Sequence, residues 1–150
     1  MGKYFEDFTI GETFTTPART ITETDVVNFT GLSGDSNPVH TDHEFVKDTQ
    51  FGKVIAHGAL GFSVATGLIS RTGLFDGTVI AFLEATDWKF RAPIFVNDTI
   101  HVEFDIAEAK ETKSPERGIL VRAVRIINQD DQVVQAGKMI SMIRRRPISQ

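Results

Sequence analysis

The chain has no cysteine, one tryptophan, one tyrosine and 5 prolines among its 150 residues. Without thiols it forms no disulfide, no thiolate metal centre and no cysteine nucleophile, and nothing marks an oxidising compartment. Positive charge is scarce as well. The 16 Lys and Arg against 20 Asp and Glu leave a formal net charge of −4, whereas a nucleic-acid partner needs a basic face that releases counterions. The run Arg144-Arg145-Arg146 beside Pro147 is the exception and reads as a solvated tail. Long apolar runs are missing too. Met1 to Glu6 lacks the apolar centre of a secretory signal, and Gly58 to Ser70 falls short of the roughly 20 residues that cross a bilayer. No membrane or nucleic-acid partner is expected, and the location expected is cytoplasmic. Asn28-Phe29-Thr30 and Asn97-Asp98-Thr99 match the glycosylation pattern, which by itself carries nothing here.

What is present is the composition of an ordinary globular protein, 41% hydrophobic and 24% charged. The length allows one sizeable core, so residues 1–150 are expected to form a single domain. Thr22 and Asp25 stand at the two ends of a capping box, and Val26 and Phe29 supply apolar spacing. A short helix is predicted between Thr20 and Leu32, stopped by Gly34. Gly34 to Asp42, rich in Asp, Ser, Asn and Pro, reads as an ordered loop. Gly58 to Ser70 carries no charge and reads as a core helix buried on most sides, with glycines that permit close packing against a sheet.

Four segments then read as strands: Val79 to Phe90, Thr99 to Glu111, Gly118 to Asn128 and Val133 to Arg144. In the second, Ile100, Val102, Phe104 and Ile106 alternate with His101, Glu103 and Asp105, as a half-buried antiparallel strand requires. Asn128 to Gln132 supplies the last turn. The expected class is α+β, a curved antiparallel sheet wrapped around a long central helix. Its open edges invite pairing with a second copy, so a homodimer or higher homo-oligomer is expected.

Reactive side chains concentrate in Asp35-Ser36-Asn37-Pro38-Val39-His40-Thr41-Asp42-His43 and in His57-Gly58. A carboxylate and an imidazole on a proline-stiffened loop can share one water, one removing a proton while the other delivers one. At Gly58 the first amides of a helix lack internal acceptors and carry the positive end of its dipole. A thioester carbonyl placed there would be polarised, and the enolate oxygen formed by water addition would be stabilised. Glycine permits that close approach.

Gly34-Asp35-Ser36-Asn37-Pro38-Val39-His40-Thr41-Asp42 resembles the hydratase motif of the MaoC-like, R-specific enoyl-CoA hydratases. His57-Gly58 fits that family, as does Phe90-Arg91-Ala92-Pro93-Ile94-Phe95-Val96-Asn97-Asp98-Thr99-Ile100, and the likeness covers nearly the whole chain. Asn97 departs from it, standing where a glycine commonly precedes the aspartate, although Asn also tolerates positive φ. The resemblance implies a hot-dog fold, a homodimer, and syn hydration of a trans-2-enoyl-CoA to the (3R)-3-hydroxyacyl-CoA, or the reverse dehydration. It gives Asp35 and His40 the proton transfers, Asn37 the support of loop and water, Gly58 and its neighbour His57 the thioester, and Thr66 a hydroxyl near the site. No cofactor is implied, since CoA is part of the acyl-CoA substrate.

Other readings of the same residues exist. Asp35 can cap a turn and His40 can be a satisfied loop histidine. Asp35, His40, Asp42, His43 and His57 are legitimate metal ligands, but their spacing is undiagnostic and His43-Glu44-Phe45-Val46-Lys47 lacks the second histidine of a zinc-protease helix, so no metal is expected. Gly61-Phe62-Ser63-Val64-Ala65 half resembles a nucleophile elbow, yet lies inside a helix. A hot-dog thioesterase is the serious rival, although such enzymes often place a carboxylate on the central helix and none stands between Gly58 and Ser70. A non-catalytic acyl-CoA binding module is the third. Leu60, Phe62, Val64 and Leu68 read as core rather than acyl-pocket lining.

Overall fold

The computed structural model describes residues 1–148. Helix α1, Glu23–Ser33, starts where the capping pattern puts it: the Thr22 hydroxyl accepts from the Asp25 amide, and the Asp25 carboxylate accepts from the Thr22 amide at 2.8 Å. It stops at Gly34, whose φ of 76° is the left-handed conformation that glycine adopts without strain. Thr22→Ala is expected to lower stability by about 1 kcal/mol, read as a shift in the denaturant midpoint at unchanged slope.

The stretch expected to be loop contains two single-turn helices, α2 (Pro38–Thr41) and α3 (His43–Val46). Asn37 accepts from the Val39 amide with Pro38 in the first turn, and Asp42 accepts from the Glu44 and Phe45 amides. Turn residues and helix caps are the same residue types, so composition did not separate the two. Asn97 does take positive φ, at 75°.

Strands β1 (Thr13–Thr15), β2 (Arg19–Thr20), β3 (Val79–Phe90), β4 (Thr99–Glu111), β5 (Arg117–Ile127) and β6 (Val133–Arg144) form a 6-stranded sheet in the order β1-β4-β5-β6-β3, with β2 also on β4. Every pairing is antiparallel. The four long strands match the sequence expectation, β5 lying one residue earlier. The inner face carries Ile100, Val102, Phe104 and Ile106 from β4, and Leu120, Val124 and Ile126 from β5. Arg122 stands in phase with that β5 row and is itself buried.

Helix α4, Gly58–Ser70, buries Leu60, Val64, Ala65, Leu68 and Ile69 in this core. Its remaining face differs from the expectation of burial on most sides: Ala59, Ser63, Thr66, Gly67 and Ser70 are exposed. Beside it in chain order, β3 exposes Val79, Ile80, Phe82, Leu83 and Phe90. An uncharged helix face and an apolar edge strand left open together form a surface suited to a partner.

The basic run is not a free tail. Arg144 ends β6, Arg145 pairs with Glu6 and Glu111, and Arg146 with Asp7. Among the described residues no helix is long and apolar enough to cross a membrane.

Candidate active site

The loop between α1 and α2 carries Asp35, and α2 carries His40. The Asn37 amide donates to Asp35 Oδ1 at 3.3 Å, and the His40 amide donates to the Asn37 carbonyl at 2.9 Å. The backbone carbonyls of Ser36 and Asn37 both lie within reach of the Thr41 hydroxyl. Asn37 therefore serves the loop, as a cap and a carbonyl acceptor.

His40 Nδ1 lies 2.7 Å from the Ile55 carbonyl oxygen. A carbonyl can only accept, so Nδ1 carries the proton and neutral His40 presents a lone pair at Nε2. That Nε2 lies 3.9 Å from Asp35 Oδ2, beyond hydrogen-bond reach. One water making two hydrogen bonds of about 2.8 Å closes a triangle over such a gap, at an angle near 90°. The Asp35 side chain is 54% exposed and that of His40 10%: the carboxylate faces solvent and the imidazole is held by the protein.

His57, the residue before α4, is 2% exposed. Its Nε2 lies 2.9 Å from the Asp35 carbonyl oxygen and 3.3 Å from Thr30 Oγ1. By the same reasoning Nε2 carries the proton, and the bare Nδ1 is buried with no partner among the described residues. The ring stacks on His40 with centroids 3.8 Å apart and an interplanar angle of 25°, and Phe29 packs against it at 4.9 Å. In the chain as described, His57 braces the Asp35 loop and backs the His40 ring; it does not face an open cavity.

Gly58 is the first residue of α4, where the amides lack intrahelical acceptors. A Cβ added there would lie 2.7 Å from Phe90 Cε1. Gly58 also lines a cavity of about 530 Å³ with Gln50, Phe51, Phe90, Arg91 and Ile55, the residue whose carbonyl holds His40. Lys53 lies over the Phe95 ring on the same wall, 4.5 Å from its centroid.

Thr66 is not brought to this cluster within the chain. It lies eight residues beyond Gly58, about 12 Å along the helix, donates to the Ser63 carbonyl and lines a different cavity. Where a helix residue lies relative to the dyad follows tertiary packing, which residue spacing alone does not resolve. Of the metal-ligand candidates, Asp35, His40 and His57 offer atoms within 4.8 Å of one another. Asp42 instead caps α3, and His43 pairs with Glu23 at 2.6 Å. Sequence reasoning missed Thr30, Phe29 and the Ile55 carbonyl, which act on the site by tertiary packing and carry no motif.

Residues 6–125 match the family model described as the MaoC like domain. The chain is 39% identical to Protein MaoC of Klebsiella aerogenes over 100 residues, 67% of this chain and 29% of that protein. It is 32% identical to the 3-hydroxybutyryl-CoA dehydratase of Methylorubrum extorquens over 70% of this chain and 64% of that protein. It is 33% identical to the (R)-specific enoyl-CoA hydratase of Rhodospirillum rubrum over 65% of each. The matches thus span less than two thirds of these relatives' length.

Among solved structures, the Monoamine oxidase regulatory protein of Archaeoglobus fulgius superposes with a TM-score of 0.90 at 36% identity, covering 97% of both chains. A Mycobacterium tuberculosis protein described as having a double hotdog fold gives 0.84 at 21% identity, over 99% of this chain and 46% of that one. The architecture is the hot-dog fold.

Proposed function

This chain belongs to the MaoC-like dehydratase family, and on that premise we propose that it is an R-specific enoyl-CoA hydratase or 3-hydroxyacyl-CoA dehydratase. The observation that carries the reading is the opposition of His40 Nε2 and Asp35 Oδ2 across 3.9 Å, with the His40 tautomer set by Ile55. A water held between them lies against one face of the bound enoyl group. As its oxygen bonds to the β-carbon, its proton passes to the pair, and the pair returns a proton to the α-carbon on the same face. The carbon–carbon double bond is consumed, the dyad ends as it began, and addition is syn. The thioester oxygen, which gains charge as the enolate forms, is assigned to the Gly58 amide at the positive end of α4.

The cavity beside Gly58 suits the thioester side of the substrate. Its Arg91 and the neighbouring Lys53 are positively charged, which supports an approach of the CoA phosphates from this side. CoA enters as part of the substrate, and no further cofactor is used.

A second copy of the chain is assigned to the open face of α4 and β3. Leu83, 48% exposed on β3, is the position to test: Leu83→Glu is expected to convert a dimer to a monomer in light scattering. A wild-type chain that is already monomeric would remove the assembly from the account.

The activity test mixes purified protein with crotonyl-CoA and follows enoyl-thioester absorbance beside free-thiol release. Absorbance loss without thiol, and a product weighing the substrate plus one water, is the expected result. Thiol release would assign a thioesterase instead. Silence on both channels, extended to longer and branched chains, would leave a binding module.

A further inference from the structure

The amide assigned to the thioester oxygen belongs to a glycine, which suits close approach but leaves the backbone there freer than any other residue would. The residue before it is fixed by its side chain: His57, 2% exposed, bonds the Asp35 carbonyl oxygen at 2.9 Å. Gly58 has no side chain to do the same, and its restraint comes from β6. Gln135, also 2% exposed, donates from Nε2 to the Gly58 carbonyl oxygen at 3.1 Å. Its Oε1 accepts from the Trp88 Nε1–H at 3.1 Å. An indole can only donate and a carbonyl can only accept, so the two partners leave the amide one orientation.

Both ends of this bridge depend on local features of the chain. Between the pairs Thr86–Lys138 and Lys89–Ala136, three steps along β3 face two along β6, a bulge in which Asp87 takes a φ of 54°. Trp88 sits in that bulge, and Gly137 leaves it room, since a Cβ there would lie 2.7 Å from the Trp88 Cα. At the other end, a Cβ on Gly61 of α4 would collide with Gln135 Nε2, so the glycine lets the amide reach across the helix to Gly58. A buried amide partnered at both ends holds its neighbours firmly, because freeing either partner leaves a buried polar group unsatisfied.

We propose that Gln135 is a positioning residue for hydration: by holding the Gly58 carbonyl it fixes the backbone of that glycine and keeps the Gly58 N–H aimed at the thioester oxygen. This role rests on the hydratase reading above. The carbonyl and the N–H of Gly58 share one Cα, so a displacement at the carbonyl carries the amide with it. Gln135 exchanges no proton and acts only through Gly58.

The test measures crotonyl-CoA hydration by Gln135→Met and Gln135→Glu beside wild type. Gln135→Met removes both donor and acceptor, and kcat and kcat/KM are expected to fall together by roughly 10–100-fold with KM held within about twofold, as for an interaction made only in the transition state. Gln135→Glu keeps the shape and makes the donor titratable. Its protonated carboxyl donates to the Gly58 carbonyl while accepting from Trp88, whereas the ionised form can only accept. Burial raises the pKa of such a carboxyl, so kcat of this variant as a fraction of wild type is expected to rise about tenfold as pH falls from about 8 to about 5.

Trp88 is the only tryptophan in the chain, so its single indole N–H resonance reports the bridge without activity and is expected to move in Gln135→Met. Should that variant fold poorly, the Gln135→Glu pH profile decides alone. A Gln135→Met chain with wild-type kcat, a loss carried by KM alone, a flat Gln135→Glu ratio or an unmoved indole signal overturns the role and leaves the hydratase reading standing. A wild type that hydrates no enoyl thioester overturns both.

Discussion

Replacing Asp35 with Asn lowers kcat for crotonyl-CoA hydration by about 10²–10⁴, the range lost with a positioned acid or base. The amide keeps an oxygen for the Asn37 N–H, so the loop keeps its hydrogen bond, but it exchanges no proton with a water opposite His40 Nε2. Asp35 is exposed, so the denaturant midpoint is expected to move by no more than about 0.5 kcal/mol in stability. His40→Ala gives a comparable rate loss with a larger stability cost, about 1–3 kcal/mol, because a largely covered ring stacked on His57 is removed. Steady-state kinetics on folded variants check both. A variant that unfolds, or one that turns over normally, assigns the residue to the loop rather than to the chemistry.

Gly58→Val is the second large effect, a loss of about 10²–10³ in kcat, the scale for one oxyanion donor. The added side chain lies over the amide assigned to the thioester oxygen, and its Cβ also meets the Phe90 ring. The two causes separate in a Phe90→Ala background. There the Cβ has room, so a rate that stays low relative to Phe90→Ala alone belongs to the blocked amide. A rate restored by Phe90→Ala belongs to packing, and Gly58 then leaves the oxyanion role.

The elements with long, repeated patterns were legible in the chain. The Thr22–Asp25 box fixed the start of α1, and period-two alternation from Ile100 to Ile106 fixed which face of β4 is inner. Strands β1 and β2 escaped because Thr13–Thr15 and Arg19–Thr20 are too short to show a period. The exposure of Ser63, Thr66 and Gly67 on α4 also escaped, since lack of charge reads as burial whether the covering surface is the same chain or another.

At the site, Asp35 and His40 were legible together because only Ser36, Asn37, Pro38 and Val39 separate them, and the turn into α2 brings them near. The position of His57 was not, for it depends on α1 supplying Thr30 and Phe29 and on α4 beginning beside Asp35. Arg122 left a signal that goes unread when each strand is scored only for its apolar residues. Leu120, Val124 and Ile126 set the inner phase of β5, and a charged residue falls in that phase.

The most direct test of the water held between Asp35 and His40 is hydration of crotonyl-CoA in deuterated water, with the configuration of both new centres determined. The expected product is the (3R) alcohol with deuterium at the α-carbon on the face that received oxygen. Deuterium on the opposite face, the (3S) alcohol, or free CoA thiol in place of alcohol would contradict it.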